Sequence, residues 1–193
     1  MTTIIFDLNG ILIQGQLLSE RFANELGIGP EEFLPALKDV LAKARISKTA
    51  ISFQYWQPYL KKLGLEMSEQ QFFDFWFSAE KENTEMVALA RELKAAGYRL
   101  FVLSNNFVER AEYYKKTLPF LDELFIKVYY SWNTGFVKPD KQAYENILTE
   151  NNLRPEDCFY FDNSQENVEA AKELGIKAYL FTNAEDTRKI IKI

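Results

Sequence analysis

Apolar residues fall into two rhythms along this chain. Thr2–Phe6 is a short run of β-branched and aromatic residues closed by a polar turn, the pattern of a buried strand. From Leu17 to about Ala79 the spacing becomes helical. Phe22 and Leu26 open it, Gly27 and Gly29 interrupt it, and Pro30 starts a second helix carrying Phe33, Leu34, Leu37 and Leu41. Ile51, Tyr55, Tyr59 and Leu63 predict a third helix, stopped by Gly64. Ser68 with Gln71 is a capping box for a fourth, which bears Phe72, Phe73, Phe75, Trp76 and Phe77. No strand is expected in this stretch.

Beyond it, strands and helices alternate. The pattern predicts a helix over Met86–Ala96, a strand over Tyr98–Leu103, a helix from Val108 to Lys116 and a strand over Leu124–Tyr130. Pro139 then suits the first turn of a helix reaching Leu148. Cys158–Phe161 is the next strand, and Val168, Ala171 and Leu174 mark a helix stopped by Gly175. A strand over Lys177–Phe181 and a helix near Glu185–Ile191 end the chain. Such alternation implies an α/β fold, a Rossmann-like parallel sheet with helices on both faces. The helical stretch reads as an insertion, so residues 1–14 and 82–193 are expected to form the core and residues 15–81 a helical module.

Composition narrows the chemistry. The 193 residues carry 23 basic and 28 acidic side chains, a net charge of −5, which argues against nucleic acid as the main partner. Cys158 is the only cysteine, and no apolar stretch reaches the ~18 residues of a membrane span. A cytoplasmic location without membrane partners is expected, and the oligomeric state is left open. Histidine is absent, so catalysis has to run on carboxylates, amides, hydroxyls and lysines.

Parallel strands gather their carboxyl ends along one edge, where open α/β sheets place ligands. Asp7, Ser104, Asp162 and the loop ending at Lys138 are therefore expected to converge. Asp7 can attack phosphorus and form an aspartyl-phosphate. Ser104 and nearby backbone N–H groups can hold phosphoryl oxygens, and Lys138 can neutralise charge on both phosphate and nucleophile. Two acidic strand ends can hold Mg²⁺, a cation that prefers oxygen ligands.

Four segments in order resemble the motifs of the haloacid-dehalogenase-like superfamily of hydrolases. They are Phe6-Asp7-Leu8-Asn9-Gly10, Leu103-Ser104-Asn105, Lys138-Pro139-Asp140, and Phe161-Asp162-Asn163 with Asn167. The helical insertion sits where that superfamily carries a small α-helical cap. Among members, the chain is similar to bacterial sugar-phosphate phosphatases of the α-glucose-1-phosphatase type. The resemblance implies a Mg²⁺-dependent phosphatase of a small phosphorylated metabolite, a sugar phosphate being favoured. By the same likeness Asp7 is nucleophile and metal ligand, and the Asn9 carbonyl is a second ligand. Ser104 and Asn105 bind phosphate, Lys138 bridges, and Asp162 with Asn163 completes the metal shell.

Two positions depart from the pattern. Asn9 stands where most such phosphatases have an aspartate that protonates the leaving alcohol, help typically worth about 10²- to 10⁴-fold. A sugar 1-phosphate, leaving as a hemiacetal oxygen, tolerates that loss best. Asn163 stands where an acidic ligand is usual and offers an uncharged amide oxygen instead. Two other readings follow: a catalytically impaired member that binds a phosphorylated ligand or partner, and a metal-free 2-haloacid dehalogenase. The aromatic stripe Phe72–Phe77 is expected in the core of the helical module; Arg45 and Lys48, near a break between its helices, could reach a substrate's polar groups, but a solvated loop is expected.

Overall fold

The computed structural model describes residues 2–192. Thr3–Phe6 (β1) is the middle strand of a five-stranded parallel sheet. Arg99–Ser104 (β4) and Cys158–Asp162 (β6) flank it, and Lys127–Tyr130 (β5) and Lys177–Leu180 (β7) form the edges, in the order β5-β4-β1-β6-β7. A central strand buries both faces, which explains why its sequence is apolar without alternation. Ile4 and Phe6 join one core, with Leu100, Val102 and Phe161, beneath Thr84–Ala95 (α5) and Ala184–Ile191 (α11). Ile5 points the other way, into a second core with Phe101, Leu103 and Tyr160. Lys141–Glu150 (α9) and Gln165–Glu173 (α10) cover that side.

Leu18–Leu26 (α1), Pro30–Ala44 (α2), Ser52–Lys62 (α3) and Glu69–Phe77 (α4) build most of a third core, which Phe107 from beyond β4 also enters. Phe22, Phe33, Trp56, Phe72 and Trp76 are buried in it, so the aromatic stripe is core, as its spacing predicts. Ile13–Gln14 (β2) and Lys81–Glu82 (β3) pair antiparallel and bracket these four helices. A two-residue strand carries no periodicity, so this ribbon was not visible in the sequence.

Two expected boundaries move. Phe120–Leu124 is a short helix (α7), following Val108–Thr117 (α6), and the β5 ladder starts only at Lys127. Leu124 belongs to α7 because Phe120, Leu121 and Leu124 all bury one helical face. After the short helix Ser131–Thr134 (α8), α9 begins at Lys141 rather than at Pro139. The Lys138–Pro139 peptide is cis and lies in the turn before it. Among the described residues, no helix is long and apolar enough to cross a membrane.

Candidate active site

Register decides which strand ends meet. Phe6 pairs with Phe161, so the next residues, Asp7 and Asp162, fall level at the carboxyl edge of the sheet. The Asp7 N–H donates to the Phe161 carbonyl at 2.8 Å, extending the ladder one residue past β1. Gly10 follows with φ +88°, a left-handed turn that a β-carbon would strain and that would also drive it into the Asn163 side chain.

Lys138 reaches this edge from its own loop. Its Nζ donates to Asp7 Oδ1 at 2.7 Å, to Asp162 Oδ2 at 2.7 Å and to the Tyr160 hydroxyl at 3.1 Å. Both carboxylates and the ammonium are buried. A desolvated charge is tolerated when it is paired and hydrogen-bonded; Lys138 Nζ and both Asp162 oxygens are fully engaged, while on Asp7 the lysine takes Oδ1 alone. Asp162 receives further hydrogen bonds from the Ser164 N–H at 2.8 Å, from the Asn167 amide and from the Tyr160 hydroxyl. Burial, opposed by Lys138 and reinforced by the charge on Asp162, lifts the Asp7 carboxyl above its usual range. Burial and the same two carboxylates push the Tyr160 phenol well above its ordinary value, so it stays a neutral donor.

The Lys138 backbone is held from the neighbouring strand. Asn105 Oδ1 accepts from the Lys138 N–H and Asn105 Nδ2 donates to the Lys138 carbonyl, each at 2.8 Å. The Asn105 side chain, expected to bind phosphate, is therefore committed to fixing the lysine. Ser104 lies buried at the end of β4 and lines the same pocket.

That pocket, about 330 Å³, is lined by Asp7, Asn9, Ser104, Lys138, Arg45 and Arg110 among others. The sequence reading put Arg45 and Lys48 in a solvated loop. Lys48 is exposed, but Arg45, just past the end of α2, turns into the pocket with its Nε buried and without a hydrogen-bond partner. Burial and the nearby Arg110 charge lower its pKa, with Asp7 opposing. Nothing in the sequence separated this arginine from an ordinary loop cation.

A second network, also missed, engages Asn9. Its Nδ2 donates to the Tyr114 hydroxyl at 2.6 Å, and that hydroxyl donates to Glu80 Oε2 at 2.7 Å. Arg110 forms an ion pair with Glu80 and lies over the Trp76 and Tyr114 rings. Burial alone would lower the Arg110 pKa, but Tyr114 and Glu80 outweigh it and raise it. The i, i+4 spacing of Arg110 and Tyr114 on α6 was the available signal.

The donor set fits Mg²⁺ in part. Asp7 has one oxygen not engaged by Lys138, the Asn9 carbonyl faces Asn163 Nδ2 at 3.2 Å, and an inverted Asn163 amide would present a third oxygen. Magnesium asks for one or two carboxylates and completes its shell with substrate phosphate and water. Asp162, expected in that shell, has both oxygens taken by protein donors and faces Lys138 instead. Among the described residues, no three acidic or cysteine side chains cluster into a metal site by themselves.

A parallel sheet with an aspartate, a serine, a lysine and a second aspartate at its carboxyl edge, beside a helical insertion, defines a class of hydrolases. The chain belongs to the haloacid dehalogenase-like hydrolase family, whose model matches residues 1–175. It is 24% identical to the bifunctional epoxide hydrolase 2 of Sus scrofa over 94% of its own length, but it spans only 36% of that protein. It is 20% identical to the D-ribitol-5-phosphate phosphatase of Bacteroides thetaiotaomicron, over 69% of this chain and 65% of that one. A HAD-family enzyme of the same bacterium, solved with magnesium and inorganic phosphate, shares the fold. Its TM-score is 0.81 at 22% identity, over 98% of both chains.

Proposed function

We propose that the protein hydrolyses a phosphate monoester of a small metabolite through an aspartyl-phosphate on Asp7. The observation that carries this reading is Lys138 Nζ, 2.7 Å from both Asp7 and Asp162, at the floor of a pocket rimmed by Ser104 and Arg45.

In the first step Asp7 Oδ2 attacks phosphorus and the bond from phosphorus to the leaving oxygen breaks. Lys138, Ser104 and Arg45 supply positive charge and hydrogen bonds to the phosphoryl oxygens as that charge redistributes. Asn9 cannot give the leaving alkoxide a proton, so water must. Water then attacks the phosphorus of the aspartyl-phosphate, releasing inorganic phosphate and restoring Asp7. The side chains of Asp162 and Asn105 hold Lys138 in place. Asp7, the Asn9 carbonyl and Asn163 would hold Mg²⁺, and when bound it would supply further positive charge to the phosphate. A sugar phosphate remains the substrate that leaving-group acidity favours. The acidic surface and single cysteine fit a soluble substrate in a reducing compartment and no nucleic-acid partner. We place the helical residues 15–81 over this site as a cap.

Phosphate release from a panel of monoesters with Mg²⁺ tests the proposal. Release is expected from the wild type and not from Asp7→Asn; equal rates for the two would remove Asp7 as nucleophile. The engagement of Asn9 with Tyr114 favours one alternative, a protein that binds phosphorylated ligands without turnover. Calorimetric binding of a ligand that is never converted would select it.

A further inference from the structure

Helix α2 carries an apolar stripe wider than the face it fully buries. Phe33, Ala36, Val40 and Ala44 bury the first face inside the helical module. Leu34, Leu37 and Leu41, spaced i, i+3 and i+7, lie one position on from these residues and widen the stripe, with Leu37 and Leu41 partly buried against the same core. Leu34 is 46% exposed. All three leucines line a cleft of about 450 Å³ together with Ile13, Leu17 and Trp76. Leu17 is itself 64% exposed.

This cleft is not isolated. It shares Asn9, Arg110 and Asn163 with the lining of the pocket that holds Asp7 and Lys138, so the two adjoin. Asp7, Lys138 and Arg45 lie in the first pocket, while the cleft sets the leucines, Ile13 and Trp76 beside Gln14, Gln16, Ser19 and Glu80. Arg110, at the junction, is tied up by Glu80 and Tyr114. A hydrocarbon body lying along Leu34, Leu37 and Leu41 removes apolar surface from water, which a polyhydroxylated one does not.

We propose that the leaving group lies in this cleft and that the preferred substrate is the phosphate monoester of an alcohol with a largely apolar carbon body. The assignment rests on the phosphatase reading for the direction in which the leaving group departs. It sets the shape of the cleft against the leaving-group argument for a sugar.

Linear n-alkyl phosphates from propyl to octyl share nearly one leaving-group acidity, so chain length varies burial alone. kcat/KM is expected to rise about fourfold per methylene until the cleft is full, the fold-change equivalent to about 0.8 kcal/mol per buried methylene. Leu34→Gln and Leu37→Gln should flatten the slope; the former sits at an exposed position, so its folding is secure. Ile126→Gln, at an exposed isoleucine outside both pockets, should leave the slope as it is. Rates independent of chain length overturn the inference. So does a flat series in which Leu34→Gln turns a dimer into a monomer, because a second copy then covers the leucines. If no phosphate is hydrolysed, calorimetry with the matching alkylphosphonates separates the two claims. Tighter binding of octylphosphonate than of propylphosphonate, lost in Leu34→Gln, keeps the apolar subsite and removes the hydrolytic reading; equal binding removes both.

Discussion

Asn9 donates its side-chain amide hydrogen to the Tyr114 hydroxyl at 2.6 Å, 105 residues away in sequence. The residue that departs from the usual catalytic pattern is therefore built into a chain that runs on through Glu80 to Arg110.

That chain makes an aspartate at position 9 costly. An aspartate at position 9 only accepts, and the single Tyr114 proton cannot serve both it and Glu80. Asn9→Asp alone should lower stability by about 1–3 kcal/mol, the cost of one buried group left without its partner. Adding Tyr114→Phe relieves the conflict. The double variant should recover part of that loss and hydrolyse an alkyl phosphate about 10²-fold faster than the wild type. Urea unfolding and steady-state rates check both; a single variant as stable as the wild type would show that the network tolerates a carboxylate.

Lys138 is the counter-charge for two buried carboxylates. Lys138→Met keeps the volume and removes the charge, leaving Asp7 and Asp162 facing each other. Stability should fall by about 3–5 kcal/mol near neutral pH, the cost of breaking a buried pair, and phosphate release should be lost. Denaturant midpoints give the measurement. A variant within 1 kcal/mol of the wild type would mean that water already solvates the triad.

Asn163 brings no charge to the proposed cation site. Asn163→Asp should bind Mg²⁺ about tenfold or more tightly, because ligand charge sets affinity at oxygen-donor sites. The metal-free variant should also be less stable, since the contact of Asn163 with the Asn9 carbonyl becomes a repulsion. Both effects predict a larger Mg²⁺-induced rise in Tm for the variant, read by calorimetry. An equal rise in the two proteins would place the cation elsewhere.

Cys158 is fully buried in β6, and burial pushes its thiol up to about 11. Iodoacetamide at pH 8 should leave the native protein unmodified and label it rapidly in denaturant, as mass spectrometry would show. The folded pKa lies above the unfolded value of about 8.5. The thiol therefore contributes stability below pH 8.5 that is lost as pH climbs toward 11. Removing it with Cys158→Ala should flatten that alkaline decline.

Much of the architecture was legible before any coordinates. The core strands are short runs of apolar side chains, and five of them separated by helical spacing leave little choice but a parallel sheet. The aromatic spacing of α4 placed Phe72, Phe73, Trp76 and Phe77 in a core of their own. The β2–β3 ribbon was hidden because two residues have no period, and the start of β5 because Leu124 serves a helix as well as a strand. At the edge of the sheet, the sequence named Asp7, Ser104, Lys138 and Asp162 because topology alone brings parallel strand ends together.

What the sequence by itself determined is the identity and order of those groups. Tertiary structure decided their partners, since hydrogen bonds between residues 24 to 131 positions apart leave no local mark. It turned Asp162 and Asn105 toward Lys138 and tied Asn9 to Tyr114. It also turned Arg45 into the pocket and set Leu34, Leu37 and Leu41 of α2 along an adjoining cleft.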